Sequence, residues 1–318
     1  MNILYKYYSS SFDIKNHLES PAIKLAHVKS FNDPFETQIS DIHAEKLADM
    51  IIQSSNTIDE VTKRNFVHSY KLISSLFGVV SLTETHRNIL MWSHYASSHK
   101  GICVGYDIDF FDRLEKEKGG IAKNEAIIQY SPKRVIYDSK RFDLEQKIEL
   151  DETLESIINA MGKKSDEWIY EKEHRCIVPF TWADKFIAHD WCPKSKLKRI
   201  NKEYGQPQGE KANEYYFSYP NRSLDVYSIA QSNDFTVLKE ISLESINSIY
   251  IGSNFGFKET CSLKTLIDSN PQKYSHIRLY KYEINPNDFA LDILPLANVN
   301  LTYALDELTK NRVLQYSL

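Results

Sequence analysis

Two glutamates and an arginine alternate in the segment that leads into an apolar run. Glu171, Glu173 and Arg175 are two residues apart, so in an extended chain they share one face. A fixed carboxylate stabilises a transition state that develops positive charge, and repulsion between two carboxylates raises the pKa of one. Trp168 and Tyr170 precede them and are typical of a pocket for a nucleotide or sugar. We therefore predict Glu173, Glu171 and Arg175 as catalytic residues; the alternative is a solvated strand edge with a run of charges.

Polar groups on two other apolar segments are candidates for ligand binding. Ser81 lies near the end of an apolar run, where a hydroxyl can reach a ligand. The following predicted helix, 88–96, carries Trp92, His94 and Tyr95, and the last two keep a polar group available. The alternative is a core helix with an aromatic stripe.

The first apolar segment carries Tyr5, Lys6 and Tyr7. A lysine between two aromatic residues can lie along a surface strand with its ammonium group in water. It can also contact a phosphate or a carboxamide, and both interpretations stay open.

The sequence favours no metal site. His86, His94 and His99 lie close together, but their spacings match no common ligand pattern and no Cys-x-x-Cys pair accompanies them. The phosphate-loop, dinucleotide-binding and His-Glu-x-x-His motifs are all absent from the sequence. The four cysteines are far apart, which argues against a disulfide framework.

Residues 190–222 are predicted to form an irregular insertion rich in Lys, Asn, Gly and Pro. The insertion holds a dense basic run, namely Lys194, Lys196, Lys198, Arg199 and Lys202. A solvated loop is one interpretation. The other is a nucleic-acid contact with stacking groups close by, namely Tyr204, Tyr215, Tyr216 and Phe217.

Apolar periodicity predicts short strands mixed with helices, with no regular alternation of strand and helix. Strands are predicted at 3–8, 23–28, 77–82, 101–106, 126–130, 135–137, 175–180, 235–238, 248–252 and 276–284. Helices are predicted at 10–19 (with Ser10 or Ser11 as N-cap), 88–96 and 143–161, and two more are predicted within 41–76. Residues 31–36 are predicted to form an Asx-type turn held by Phe31 and Phe35. This pattern predicts an α+β fold with a split mixed or antiparallel sheet flanked by helices.

Length and charge bound the remaining possibilities. The 318 residues are predicted to form a single domain, with a core at about 3–255 and a strand and helix extension at 256–318. The net charge of −4 gives no global signal for nucleic acid, so local patches must carry any such contact. The chain has no signal-peptide pattern and no apolar run long enough to span a membrane, so we expect a cytoplasmic protein.

The order of these motifs resembles a bacterial domain-of-unknown-function family, number 2971. The motifs that carry the resemblance are Leu4–Tyr7, Asn32–Glu36, Ser81–Glu84, Met91–Ala96 with His99–Tyr106, Trp168–Arg175 and Ile249–Gly252. They cover about residues 3–255. That family resemblance implies no reaction by itself.

The layout is also similar to ADP-ribosyltransferases of the His-Tyr-Glu or Arg-Ser-Glu kind. This resemblance implies NAD as substrate, with Tyr5 or Lys6 at the first-strand position, where relatives often carry His. It implies Ser81 at the second position and Glu173, with Glu171 two residues earlier, at the third. Lys6 departs from the pattern, because a lysine donates but does not accept hydrogen bonds.

The same resemblance implies roles for the other residues. Nicotinamide would stack on Tyr95 or Trp92, and Glu173 would stabilise the oxocarbenium-like transition state. Glu171 would orient or deprotonate the acceptor, and Arg175 would position a carboxylate or bind a phosphate. It further implies a toxin or anti-phage effector paired with an antitoxin, and we expect an RNA or DNA acceptor ahead of a protein one. The rival hypotheses are a non-catalytic module that binds RNA or protein, and a metal-dependent nuclease that uses Asp107 and Asp109 with the two glutamates.

Overall fold

The computed structural model of the chain describes residues 2–36, 44–46, 48–49, 60–117, 129–140, 153–207, 213–217 and 225–296. The strands are β1 (Ile3–Tyr8), β2 (Ala22–Lys24), β3 (Ala26–His27), β4 (Phe77–Thr83), β5 (Ile102–Asp107), β6 (Gln129–Arg134), β7 (Ile136–Tyr137), β8 (Lys163–Lys164), β9 (Glu173–Pro179), β10 (Lys185–Ala188), β11 (Glu214–Tyr216), β12 (Phe235–Glu240), β13 (Ile246–Ile251), β14 (Arg278–Ile284) and β15 (Leu291–Pro295). The helices are α1 (Ile14–Glu19), α2 (Glu60–Ile73), α3 (Ile89–Tyr95), α4 (Phe110–Glu117), α5 (Thr153–Met161), α6 (Lys194–Tyr204), α7 (Asp225–Ala230), α8 (Phe257–Ser269) and α9 (Pro271–Tyr274).

The described residues group into two compact units, and each unit is assembled from segments that are distant in sequence. The first unit takes its residues from Met1–Glu19, Thr85–Asp107 and Leu243–Leu318. The second takes them from Ser20–Glu84 and Ile108–Ser242. The single domain over residues 1–318 stays a prediction.

Five strands of the first unit pair in the order β15-β14-β13-β5-β1. The pair β13–β14 is parallel and is connected through α8 and α9, whereas the other three pairs are antiparallel. Gly105 in β5 permits close packing, because a Cβ atom there would lie 2.5 Å from the Ser248 hydroxyl oxygen and 3.1 Å from the Tyr5 ring. The result is a mixed sheet in which β5 is a buried inner strand.

The second unit contains antiparallel strands in the order β6-β9-β4-β3 and a separate four-stranded sheet, β11-β10-β12-β2. One face of β4 and β9 contributes to an apolar cluster. Its buried members are Val28, Ala44, Tyr70, Phe77, Val79, Ile157, Met161 and Ile177. Helix α2 supplies Tyr70, and helix α5 supplies Ile157 and Met161. Burial of this apolar face holds β9 in place, and β9 carries Glu173 and Arg175.

The mixture of helices with a mixed sheet confirms the α+β prediction. Strands near 3–8, 77–82, 101–106 and 175–180 and a helix near 88–96 are present with small shifts in their ends. The predicted strand 23–28 is interrupted and appears as β2 and β3. The predictions at 41–43, 126–128 and 143–152 lie outside the described residues.

Two local predictions were wrong. Helix α1 begins at Ile14 rather than near Ser10, because the Asp13 carboxylate accepts a hydrogen bond from the Asn16 amide at 3.0 Å and so caps the helix. The segment 190–222 is not irregular where it is described. It contains α6, whose Ile200 packs into the core, and the short strand β11.

No helix among the described ranges has the length and apolar character that a membrane span needs.

Candidate active site

The junction before β9 sets the directions of the predicted catalytic side chains. A 3-10 helix, Asp166–Glu171, ends at Lys172, which adopts a left-handed conformation with φ 46° and ψ 49°. The chain then enters β9 at Glu173. Glu171 therefore lies on the helix and not on the strand, which corrects the prediction of one extended face for all three residues. The turn nevertheless buries both carboxylates, each with 4% of its residue surface exposed.

Arg175 binds Glu173 through a two-point ion pair. Its Nε donates to Glu173 Oε1 at 2.7 Å, and its Nη2 donates to Glu173 Oε2 at 2.9 Å. The guanidinium also donates to the Met161 carbonyl at 2.6 Å and to the Glu36 carboxylate. Such parallel hydrogen bonds fix the plane of the carboxylate as well as its charge.

Lys164 connects the remaining carboxylates. Its ammonium group lies 2.6 Å from Glu171 Oε2, 3.2 Å from Glu173 Oε2 and 3.2 Å from Glu36 Oε1. The side chains of these residues and of Arg175 are each 7% exposed or less. We call Glu36, Lys164, Glu171, Glu173 and Arg175 the buried ion cluster. It holds three carboxylates and two cations.

Burial alone would raise the pKa of Glu173, but the positive charges of Arg175 and Lys164 and hydrogen bonds from Arg175 and Ser81 lower it to about 2. In Glu36 the balance is reversed, and burial raises the pKa against the attraction of the same two cations. Burial lowers the pKa of Lys164 and Arg175 less than the carboxylates raise it, so both stay protonated. Glu173 is thus an ionised carboxylate at any physiological pH.

Neighbouring strands hold the cluster in place. In β4, Ser81 lies opposite Arg175 and Thr83 lies opposite Glu173. The Thr83 hydroxyl donates to the Glu171 carbonyl at 2.6 Å, and the Glu173 amide donates to the Tyr137 hydroxyl at 2.7 Å. Ser81 thus lies beside the cluster and hydrogen-bonds Glu173.

Aromatic rings cover the two cations of the cluster. The Lys164 ammonium lies 4.8 Å from the centre of the Trp168 ring, and the Arg175 guanidinium lies 5.1 Å from the centre of the Phe31 ring. A ring face attracts a cation, so both contacts add to the immobility of the cluster. Trp168, predicted as a pocket residue, is half-buried against Lys164.

The other predicted ligand-binding residues belong to the first unit. Trp92 has no exposed surface, and its indole donates to the His86 carbonyl at 2.9 Å. Tyr7 is buried with its edge against Trp92, and its hydroxyl donates to the Thr85 carbonyl at 3.1 Å. Trp92 is a core residue, as the alternative of a core helix with an aromatic stripe expects, and Tyr7 also belongs to the core.

Four predicted residues of the first unit keep exposed surface. Tyr5 and Lys6 are half-buried on β1, and His94 is exposed and Tyr95 half-buried at the end of α3.

Asn88 fixes the start of α3, because its side chain accepts a hydrogen bond from the Leu90 amide at 2.8 Å.

Sequence reasoning missed Glu36 and Lys164 as members of the cluster. The predicted Asx turn is present, with the Asp33 carboxylate accepting from the Phe35 amide at 2.8 Å. The turn directs Glu36 onto Arg175, and the Phe35 ring is 63% exposed. A glutamate directly after such a turn was the available signal for Glu36. Lys164 lies in the short strand β8 and had no signal of its own.

A family model described as "Protein of unknown function (DUF2971)" matches residues 91–176. The matched segment runs from α3 to β9 and includes Lys164, Glu171, Glu173 and Arg175, so the match supports the resemblance to that family. No curated protein and no solved structure matches the chain. Among the described residues, no group of three or more His, Cys, Asp or Glu side chains is arranged to hold a metal ion.

Proposed function

We propose that this protein transfers ADP-ribose from NAD to an acceptor, with Glu173 stabilising the positive charge that develops on the ribose. The observation that carries the proposal is the ionised state of Glu173, whose pKa is lowered to about 2 inside a cluster with more carboxylates than cations. A low-dielectric interior screens charges only weakly. A buried carboxylate therefore acts on nearby atoms even though little of its own surface is exposed.

In the proposed reaction the bond between ribose C1′ and the nicotinamide nitrogen breaks, and its electron pair leaves with neutral nicotinamide. The sugar then carries the positive charge as an oxocarbenium-like species. A hydroxyl or amine of the acceptor attacks C1′, and its proton passes to a base, for which Glu171 is the candidate. Arg175 fixes the orientation of Glu173 through its two parallel hydrogen bonds.

Within the first unit, Tyr95 keeps exposed surface, whereas Trp92 is fully buried. Ser81 supports the proposal from its place beside Glu173. An RNA or DNA acceptor, and a role as toxin or anti-phage effector held in check by an antitoxin, belong to the same proposal.

The test is label transfer from NAD. We expect purified protein incubated with labelled NAD and cell RNA, DNA or lysate protein to release nicotinamide and label one acceptor class. The variant Glu173→Gln should lower both signals by roughly 100-fold or more, the typical loss when one electrostatic stabiliser is removed. The matched control is Glu167→Gln, because Glu167 is exposed on the preceding 3-10 helix and should keep native activity.

Removal of Glu173 can weaken the fold, so the variants are compared at a temperature where circular dichroism shows all of them folded. Native activity in folded Glu173→Gln would contradict the proposed role of Glu173. Absence of nicotinamide release by the native protein with every acceptor would contradict the transferase itself.

The second candidate is a non-catalytic module that binds RNA or protein. The favouring observation is that the charged groups of the buried ion cluster pair with one another, as in a purely structural network. Such a module would bind its partner equally well with or without NAD.

A further inference from the structure

One face of α6 carries a concentrated positive charge. Ile200 is buried and marks the inner face of the helix. At about 100° per residue, the residues opposite Ile200 are Lys194, Lys198 and Lys202, with Arg199 beside them. All four are exposed. Four cations on one face contrast with the net charge of −4 of the whole chain.

The flanks of the helix differ from this outer face. Lys196 points toward the core side, where its ammonium lies 2.6 Å from the Asp234 carboxylate and 2.7 Å from the Ser232 hydroxyl. Glu203 lies at the C-terminal edge and interacts with Asp225. The acidic groups thus lie beside the basic face and not across it.

An exposed aromatic platform precedes the helix. Trp191 is 68% exposed and stacks on His189, with ring centres 4.3 Å apart and planes at 13°. His189 is held in turn by the Thr236 hydroxyl at 3.1 Å, and the Trp191 indole donates to the Asn233 carbonyl at 3.4 Å. The ring is therefore fixed before any ligand arrives. Trp191 lies two residues before Pro193, the N-cap of α6.

Three of the four aromatic residues predicted as stacking groups have another role, and the fourth, Tyr216, is 36% exposed with its hydroxyl donating to the Glu214 carboxylate at 2.9 Å. Tyr215 and Phe217 are buried against Phe186, and the Tyr215 hydroxyl donates to the Asn201 side chain of α6 at 2.7 Å. Tyr204 packs with its edge against the same phenylalanine. These rings anchor the inner side of α6. Trp191 is instead the exposed ring that is available for stacking with a base.

We propose that Trp191 and the outer face of α6 form a docking surface for single-stranded nucleic acid. Lys194, Lys198, Arg199 and Lys202 contact consecutive phosphates, and a base stacks on Trp191. Charge complementarity favours this partner, because a phosphate backbone is a regular row of negative charges and every base offers a ring face. The proposal deepens the transferase function by naming its acceptor class, yet binding itself needs no NAD.

The test is fluorescence anisotropy with labelled single-stranded RNA and DNA probes about 12 nucleotides long, within the site size of such surfaces. The double variant Lys198→Gln/Lys202→Gln should lower the slope of log affinity against log salt by about 1.4, since each lost phosphate contact on a single strand removes about 0.7. The matched control is Lys140→Gln/Lys258→Gln, which removes the same charge from two exposed lysines elsewhere.

Trp191→Ala should weaken binding at least about fivefold, whereas Trp191→Phe should retain most of the affinity because it keeps a ring. Tighter binding of one probe identifies RNA or DNA as the source of the strand. No binding by the native protein at low salt, or an equal loss of slope in the control pair, would overturn the docking surface. So would native affinity in Trp191→Ala.

The two proposals fail in different ways. Glu173→Gln should bind the probes with unchanged affinity, because Glu173 is buried and its carboxylate is held by Arg175 and Lys164. Probe binding without nicotinamide release would overturn the transferase alone. Nicotinamide release with transfer to protein and no probe binding would overturn the docking surface alone.

Discussion

Among single side chains, Arg175 is the one on which the buried ion cluster depends most. Its side chain is 2% exposed and contacts two carboxylates and a backbone carbonyl. Loss of one partner from a buried ion pair leaves the other charges without solvent or counter-charge, which is far more costly than the loss of an exposed pair. The buried ion cluster should therefore contribute measurably to the free energy of unfolding.

Arg175→Met should lower the free energy of unfolding by about 3–5 kcal/mol, because it strands Glu173 and Glu36 in the interior. Urea denaturation followed by circular dichroism measures the change. The matched control is Arg134→Met, since the Arg134 side chain is 65% exposed and pairs with Glu84 at 3.4 Å, and its loss should cost less than about 1 kcal/mol. Equal costs in the two variants would show that the cluster contributes nothing beyond a surface pair.

Glu173 should also make the protein sensitive to acid. Its pKa falls from an ordinary 4.5 to about 2 on folding, so its stabilising effect is complete above pH 4.5 and is lost as the pH drops toward 2. The loss is on the order of 3 kcal/mol. Glu36 acts oppositely and at higher pH, because its raised pKa favours the folded state as it takes up a proton.

The measurement is urea denaturation of native protein and Glu173→Gln between pH 5 and pH 2.5. Burial lowers the pKa of His27 and His86 to about 4, so both histidines destabilise the fold between pH 6.5 and 4 in either protein. The difference between the two proteins therefore isolates Glu173. If the free energies of unfolding of the two proteins differ by a constant amount at every pH below 4.5, the lowered pKa of Glu173 is contradicted.

Among the elements, the end of β13 and the turn after α3 depend on a close backbone contact. Ser97, Ser98 and His99 have φ of 48°, 54° and 67°, which is a costly conformation for residues with a side chain. The turn is held by hydrogen bonds from the Asn254 amide to the His99 carbonyl at 3.0 Å and from Gly252 to Gly101 at 3.1 Å. Gly252 permits this approach because it has no Cβ.

Gly252→Ala should destabilise the protein by about 1–3 kcal/mol, because the new Cβ would lie 2.2 Å from the His99 carbonyl oxygen and force the backbones apart. Thermal unfolding compared with Gly162→Ala measures the effect. A Cβ at Gly162 meets its nearest neighbour at 3.4 Å, an ordinary contact, so that control should change little. A similar melting temperature for both variants would mean that the turn adjusts without cost.

For the molecule as a whole, the distribution of charge matters more than its sum. The net charge of −4 gives no signal for a nucleic-acid partner, whereas the outer face of α6 collects four exposed cations. The cysteines show the same dependence on position. Cys103, Cys176 and Cys192 are buried and form no disulfide, and burial raises the pKa of Cys103, so none of the three has the exposure of a reactive thiol.

Local patterns in the sequence were sufficient for much of the fold. Alternation and apolar runs identified β1, β4, β5, β9 and α3, because each of these elements buries one face or its whole length and needs apolar residues at the matching period. The α+β class followed from the same patterns. Helix α6 was missed because its lysine-rich surface hides a single buried anchor, Ile200, behind a composition typical of loops.

The sequence by itself determined which residues carry charge and which segments are apolar, and so indicated Glu171, Glu173 and Arg175 as a group. Only the tertiary structure decided that Glu36 and Lys164 complete the cluster, because Glu36 is far from β9 in the sequence and Lys164 lies on another strand, β8. It also decided that Trp92 is covered and Trp191 exposed. Burial and the pKa of an ionisable group depend on atoms brought together by folding, and no local pattern encodes which distant segments those atoms come from.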